Sequence, residues 1–181
     1  LGQQLHRAHH PAALVVGLFA STAFSANAES SFTVFLVRHA EKEASGADPS
    51  LTEAGRERAE SLAALLADAG ITAIFTSEFK RTQDTAAPLA KRLGLTVTVV
   101  PGKDLDALLS RVRALAPGGR ALIVGHSNTV PELARRLTGV KVAELTDADY
   151  DRLYVATSGK EGQGEVVVLH YGGSATARSV R

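Results

Sequence analysis

The segment Thr33-Val-Phe-Leu-Val37 is followed at once by Arg38 and His39. Five uncharged residues rich in β-branched and large apolar side chains predict a strand buried on both faces. Strands of that kind belong to parallel sheets that are covered by helices on both sides. We therefore expect an α/β domain in which Arg38 and His39 lie at the carboxyl end of a buried strand, where such sheets bind their ligands.

Strands and helices alternate along the rest of the chain. A helix is predicted from its N-cap Thr52 to about Ala69, and further helices are predicted to end near Leu93, Leu115 and Leu137. The later strands are predicted at 71–76, 95–100, 121–124, 152–156 and 165–171, the last two forming a hairpin at a sheet edge. The predicted fold class is α/β, a three-layer α/β/α sandwich with a mostly parallel sheet.

Residues 1–28 differ in composition from the rest of the 181-residue chain. A weakly basic start, an apolar run from Ala12 to Ala20 and an Ala26-x-Ala28 cleavage site have the layout of a secretory signal peptide. The run is shorter than the roughly 20 residues of a membrane span, so no stable membrane insertion is expected after cleavage. We predict a signal peptide over 1–28, one folded domain over 29–181, and a periplasmic or secreted location. An uncleaved anchor and a disordered tail are the alternatives.

Charge and cysteine content exclude several classes of function. The chain has 20 Lys and Arg against 19 Asp and Glu, and residues 1–28 contain one arginine and no acid, so the remainder carries a formal net charge of zero. No overall field attracts nucleic acid. The absence of cysteine excludes disulfides, thiol catalysis and zinc–thiolate sites. Outside residues 1–28 the chain has three histidines, which are His39, His126 and His170.

Basic side chains follow three of the predicted strands. Arg38 and His39 end the first strand, Arg81 lies in the first turn after the second, and His126 follows the fourth within Gly125-His-Ser-Asn128. Taken singly, each has an ordinary explanation as a hydrogen-bonded or solvated side chain. Together, at one edge of a parallel sheet, they predict a cationic pocket for phosphate, because guanidinium groups bind phosphoryl oxygens and imidazole can attack phosphorus.

Four segments, in this order, resemble the signatures of the histidine phosphatase (phosphoglycerate mutase-like) superfamily. They are Val37-Arg-His-Ala-Glu41, Leu51-Thr-Glu-Ala-Gly-Arg56, Thr76-Ser-Glu-Phe-Lys-Arg-Thr-Gln-Asp-Thr-Ala86 and Val124-Gly-His-Ser127. The resemblance covers most of residues 33–130, and the compact chain is similar to the small phosphohistidine-phosphatase members.

That resemblance implies a phosphoglycerate mutase-like fold and a phosphoric monoester hydrolase that needs no metal or organic cofactor. His39 would be the catalytic nucleophile that carries the phosphoryl group, and Arg38, Arg81 and His126 would complete the pocket, with Ser127 as a further substrate contact. His126 is expected to act as an imidazolium, so activity should decline at alkaline pH. The expected substrate is a phosphorylated small molecule or envelope glycan, as a phosphomonoester or phosphoramidate, and no nucleic-acid partner is expected.

The resemblance does not identify which residue acts as the general acid. Many superfamily members place a glutamate after the third strand, where this chain has Asp104 and Asp106. An aspartate is normally ionised at neutral pH, so Asp104 could donate a proton only where its protonated form is favoured. Asp104 could instead cap the next helix. The acid could then be Asp106, or neither of the two aspartates. Glu78 is expected to be a surface partner of Arg81.

The sequence also leaves other classes of function open. A non-catalytic module that binds phosphate or phosphoproteins would keep the pocket without turnover. A metal-dependent hydrolase would use His39 and His126, but no carboxylate lies at a characteristic ligand spacing from either. A mutase must retain a released intermediate, whereas the segment between Arg81 and His126 holds only two helices and a strand, which predicts an open pocket.

Overall fold

The protein is described by a computed structural model covering residues 31–158 and 163–172. The predicted signal peptide lies outside the described residues. The elements are β1 (Thr33–Arg38), α1 (Glu53–Leu66), β2 (Ala73–Thr76), α2 (Lys80–Leu93), β3 (Val97–Val99), α3 (Leu105–Arg113), β4 (Arg120–Gly125), α4 (Thr129–Thr138), β5 (Arg152–Thr157) and β6 (Glu165–His170). None of the helices in these two ranges has the length and apolar character needed to cross a membrane.

The six strands form one sheet in the order β3-β2-β4-β1-β5-β6. The pairs β1–β4, β2–β4 and β2–β3 are parallel, whereas β5 is antiparallel to β1 and β6 to β5. The prediction of a mostly parallel sheet with a hairpin at one edge is confirmed. Because Arg38 pairs with Gly125 in the β1–β4 register, the residues that follow these two strands emerge side by side.

Helices cover both faces of the sheet, so the predicted three-layer sandwich is confirmed. On one face, Leu62 of α1 and Leu89 of α2 pack with Leu122 of β4. On the other face, helices α3 and α4 pack against the neighbouring strand residue Ile123 and against Leu36. Successive strand residues point to opposite faces, which explains why β1 and β4 are apolar at almost every position.

The strand β3 is shorter than the predicted 95–100. Gly94 ends α2 in a left-handed conformation, φ 65°, and the N–H of Leu95 donates to the carbonyl of Ala90, 3.0 Å away. Leu95 thus completes the helix cap instead of pairing with β2.

The start of α1 packs directly on the loop that follows β1. The Thr52 hydroxyl accepts from the N–H of Gly55 as predicted for an N-cap, and the Thr52 N–H donates to the carbonyl of Glu41 at 2.9 Å. A Cβ added at Gly55 would lie 2.1 Å from that carbonyl oxygen. Only glycine therefore allows this approach of helix and loop.

Candidate active site

His39 directly follows β1 and is buried, with 4% of its surface exposed. Its N–H donates to the carbonyl of Gly125 at 2.9 Å, which ties it to the neighbouring strand β4. Its Nδ1 lies 2.8 Å from the carbonyl oxygen of Ala40. Because a carbonyl can only accept, Nδ1 carries the proton and the lone pair is on Nε2.

The charge state of His39 also suits a nucleophile. Burial, and then the charges of His126, Arg38 and Arg81, lower the pKa of His39 to about 4, although the bond to Ala40 opposes this shift. The imidazole is therefore neutral at pH 7.

The amide that follows His39 is held by α2. The N–H of Ala40 donates to the hydroxyl of Thr85 at 2.9 Å, and that hydroxyl donates to the carbonyl of Arg81 at 2.7 Å. A motif residue of α2 thereby fixes the turn that presents His39.

Arg38 is buried beside His39 and is held by the loop between α4 and β5. Its Nη1 donates to the carbonyl of Thr146 at 2.8 Å and its Nη2 to the hydroxyl of Tyr150 at 3.3 Å. The guanidinium also lies over the Tyr150 ring, 4.1 Å from its centroid. Its Nε is buried and has no hydrogen-bond partner among the described residues.

Arg81 lies in the first turn of α2, as predicted. Its guanidinium lies 4.2 Å from the centroid of the Phe79 ring, and its Nη1 is 3.6 Å from a carboxylate oxygen of Asp48. The partner of Arg81 is thus Asp48, and the expected pairing with Glu78 is absent from the described residues. The Nε of Arg81 is also buried without a hydrogen-bond partner in this part of the chain.

His126 follows β4 and faces His39, with ring centroids 5.5 Å apart. Its Nε2 lies 3.0 Å from the hydroxyl of Ser77. Burial and the charge of Arg81 lower its pKa to about 4, against the opposing effect of Glu78. His126 is therefore neutral at pH 7 in the free protein, and the expected imidazolium would form only when a bound anion raises its pKa.

These side chains surround a cavity of about 370 Å³ at the carboxyl edge of the sheet. It is lined by His39, Lys42, Glu78, Phe79, Arg81, Gly102, Lys103, His126, Ser127, Asn128 and Thr129. Arg38 is not part of this lining, but its charge lowers the pKa of both histidines. A larger cavity of about 470 Å³ between α1 and α2 contains none of these basic residues.

The candidate acids after β3 lie outside the cavity lining. Asp104 caps α3, where its carboxylate accepts from the N–H of Ala107 at 2.9 Å. Asp106 pairs with Arg136 of α4. The structure thus gives Asp104 the alternative role of helix cap and does not bring either aspartate to the two histidines. No group of three or more potential metal-ligating His, Cys, Asp or Glu side chains occurs within residues 31–158 and 163–172.

Sequence reasoning missed the contacts that hold Arg38. Tyr150 and Thr146 belong to no quoted motif and come after the last of them, so no local signal identified them. The sequence also did not predict that Glu78 and Gly102 line the cavity. Their positions there depend on a contact between the loop after β2 and the loop after β3.

A sequence model of the histidine phosphatase superfamily (branch 1) matches residues 34–105. This span contains Arg38, His39 and Arg81. Over residues 34–105, the chain is similar to the histidine phosphatase superfamily.

Three solved structures of low sequence identity share the fold. Mycobacterial hydrolase 1 is 17% identical with a TM-score of 0.62, over 77% of this chain and 98% of that one. The protein histidine phosphatase SixA complexed with tungstate is 20% identical with a TM-score of 0.60, over 76% and 96%. Mycobacterial glucosyl-3-phosphoglycerate phosphatase is 16% identical with a TM-score of 0.56, over 80% and 100%.

A curated relative matches a shorter stretch. The PE-PGRS family protein PE_PGRS11 of Mycobacterium tuberculosis is 40% identical over 80 residues, which are 42% of this chain. The match covers 14% of that protein, so this chain corresponds to a small part of its length.

The lowered pKa values of the two histidines predict acid sensitivity of the fold. An unfolded histidine binds a proton near pH 6.5, whereas folded His39 and His126 do so only near pH 4. Between these values the unfolded chain binds more protons, so the free energy of unfolding falls as the pH falls. From about pH 7 to pH 5 we expect a loss of roughly 1–2 kcal/mol for His39.

Urea denaturation at both pH values measures this loss. His39→Gln should show a smaller decrease than the wild type. An unchanged pH dependence in His39→Gln would contradict the prediction.

Proposed function

We propose that this protein is a metal-independent phosphatase that hydrolyses phosphomonoesters or phosphoramidates through a phosphohistidine on His39. One observation carries the proposal: neutral His39, with its proton fixed on Nδ1, lines a cavity together with Arg81, and the buried Nε donors of Arg81 and of the adjacent Arg38 lack acceptors among the described residues. Buried donors without acceptors are costly, so the site favours a ligand with several anionic oxygens. A phosphoryl group meets that requirement.

In the first half-reaction, the lone pair of His39 Nε2 attacks phosphorus. The P–N bond forms as the bond from phosphorus to the leaving group breaks. Arg38, Arg81 and His126 surround the phosphoryl oxygens and compensate the charge that develops in the transition state. In the second half-reaction, water attacks phosphorus and gives up a proton, the P–N electron pair returns to Nε2, and phosphate leaves neutral His39 behind.

The substrate is proposed to be a phosphorylated small molecule or an envelope glycan. SixA and glucosyl-3-phosphoglycerate phosphatase are named for a phosphohistidine protein and a phosphorylated sugar derivative, which supports both phosphoramidate and phosphomonoester substrates on this fold. Export to the periplasm or medium is proposed from the signal-peptide layout of residues 1–28. A recovered protein that begins at Glu29 on N-terminal sequencing would support a cleaved signal peptide, and one that retains residues 1–28 would oppose it.

Trapping the phosphorylated protein tests the mechanism directly. Rapid alkaline quenching of wild type mixed with ³²P-labelled substrate in excess EDTA should leave label on the protein, and peptide mapping should place it on His39. Label on another residue, or turnover that EDTA stops, would overturn the proposed route.

A further inference from the structure

We propose that Glu78 is a catalytic residue of the second half-reaction, in which its carboxylate takes a proton from the water that attacks the phosphohistidine. This inference rests on the proposed function. The reaction is balanced: the water oxygen bonds to phosphorus, its proton passes to Glu78, the P–N electron pair returns to His39 Nε2, and Glu78 later releases the proton to solvent.

The position of Glu78 supports this role. Among the described residues, Glu78 is the only carboxylate that lines the cavity. Its Oε2 accepts from the N–H of Gly102 at 2.7 Å. A Cβ built on Gly102 would lie 3.4 Å from that oxygen and 3.6 Å from His126 Nε2, so the carboxylate and His126 flank the same backbone position.

The direction of attack also favours Glu78. A displacement at phosphorus is in line, so water must approach from the side opposite to His39 Nε2. His39 is buried, whereas Glu78 and Lys103 of the same lining are exposed. Glu78 therefore belongs to the solvent-exposed part of the lining, from which water can reach the cavity.

The protonation state of Glu78 suits a base. Hydrogen bonds from the N–H of Gly102 and from its own backbone lower the pKa of the Glu78 carboxyl, so it is ionised at neutral pH. An ionised carboxylate can accept a proton from water but cannot donate one to a leaving group. The assignment is therefore to the water step.

The nearby carboxylates of Asp48 and Glu41 bind other residues and do not line the cavity. Asp48 accepts from the N–H of Lys80 and lies beside Arg81. Glu41 is held by the guanidinium of Arg58 through bonds of 2.7 and 2.9 Å. Among the described residues, neither lines the cavity, which leaves Glu78 as its one available base.

Glu78→Gln removes the proposed base but keeps the contact with Gly102, because the amide oxygen of glutamine can still accept from the Gly102 N–H. With p-nitrophenyl phosphate the leaving group departs without a proton, so phosphorylation of His39 should proceed normally. We expect a burst of about one p-nitrophenolate per protein molecule, followed by steady-state turnover reduced by about 10²-fold, with phosphohistidine accumulating. Glu132→Gln, which changes an exposed carboxylate on α4, should show wild-type kinetics.

Formate added to Glu78→Ala supplies a second measurement, and it should restore part of the steady-state rate. The inference is overturned if Glu78→Gln keeps the wild-type rate, if it slows the burst without accumulating phosphohistidine, or if Asp104→Asn accumulates phosphohistidine instead. A wild type that forms no phosphohistidine would instead refute the proposed function, so the two failures are distinguishable.

Discussion

His39→Ala should lower the turnover of p-nitrophenyl phosphate by at least about 10³-fold, because His39 has its Nε2 free for attack, whereas the Nε2 of His126 lies against the Ser77 hydroxyl. The effect is expected on kcat and not only on KM, since the step that disappears is formation of the P–N bond. Steady-state kinetics in excess EDTA measures it. The purified proteins should give matching circular dichroism spectra, because alanine leaves the backbone bond from residue 39 to Gly125 in place.

His170→Ala is the matched control for His39→Ala. His170 lies on the edge strand β6, where its ring bonds to Asp151 at 2.9 Å, far from the motif residues in the sheet order. Its replacement should leave turnover unchanged. Equal activity of His39→Ala and wild type would contradict the nucleophile assignment. A folded wild type that binds phosphate but turns over neither esters nor phosphoramidates would favour a non-catalytic binding module.

Gly55→Ala should reduce the free energy of unfolding by about 3–5 kcal/mol. A glycine-to-alanine change within a helix ordinarily stabilises it by about 0.5–1 kcal/mol. Here the added Cβ would lie 2.1 Å from the carbonyl oxygen of Glu41, a backbone atom that cannot rotate away. Either α1 or the loop after β1 must therefore shift, and urea denaturation measures the cost.

Gly94→Ala controls for the loss of glycine itself. Gly94 has a left-handed φ of 65°, but an added Cβ would meet no atom within 4 Å. Its replacement should cost about 1 kcal/mol from backbone strain alone. If Gly55→Ala lowers the free energy of unfolding by no more than Gly94→Ala does, α1 does not approach the carbonyl of Glu41 as closely as described.

The fold could be predicted from the sequence because its signals are local. The apolar strands, the Thr52 cap and the Gly94 stop each act within a few residues, and the alternation of strands and helices indicates the layers. The positions of His39 and His126 followed from the same logic, since both leave parallel strands at one edge.

The remaining features of the site depend on contacts between distant segments. Tyr150 holds Arg38 through a loop that carries no recognisable pattern. The loop after β1 brings Asp48 to Arg81, which leaves Glu78 free to reach Gly102 instead. Asp104 has the right position along the chain for an acid, but the local preference of aspartate for a helix N-cap turns its carboxylate toward Ala107.

The sheet order also determines when the pocket can form during protein synthesis. β1 pairs with β4 and β5 but with neither β2 nor β3, so the strand that presents His39 has no sheet neighbour until β4 has been made. At about 5–20 residues per second, translation separates His39 from His126 by several seconds. The growing polypeptide therefore carries His39 before its neighbouring strand exists, and the pocket can assemble only after β4 has been made.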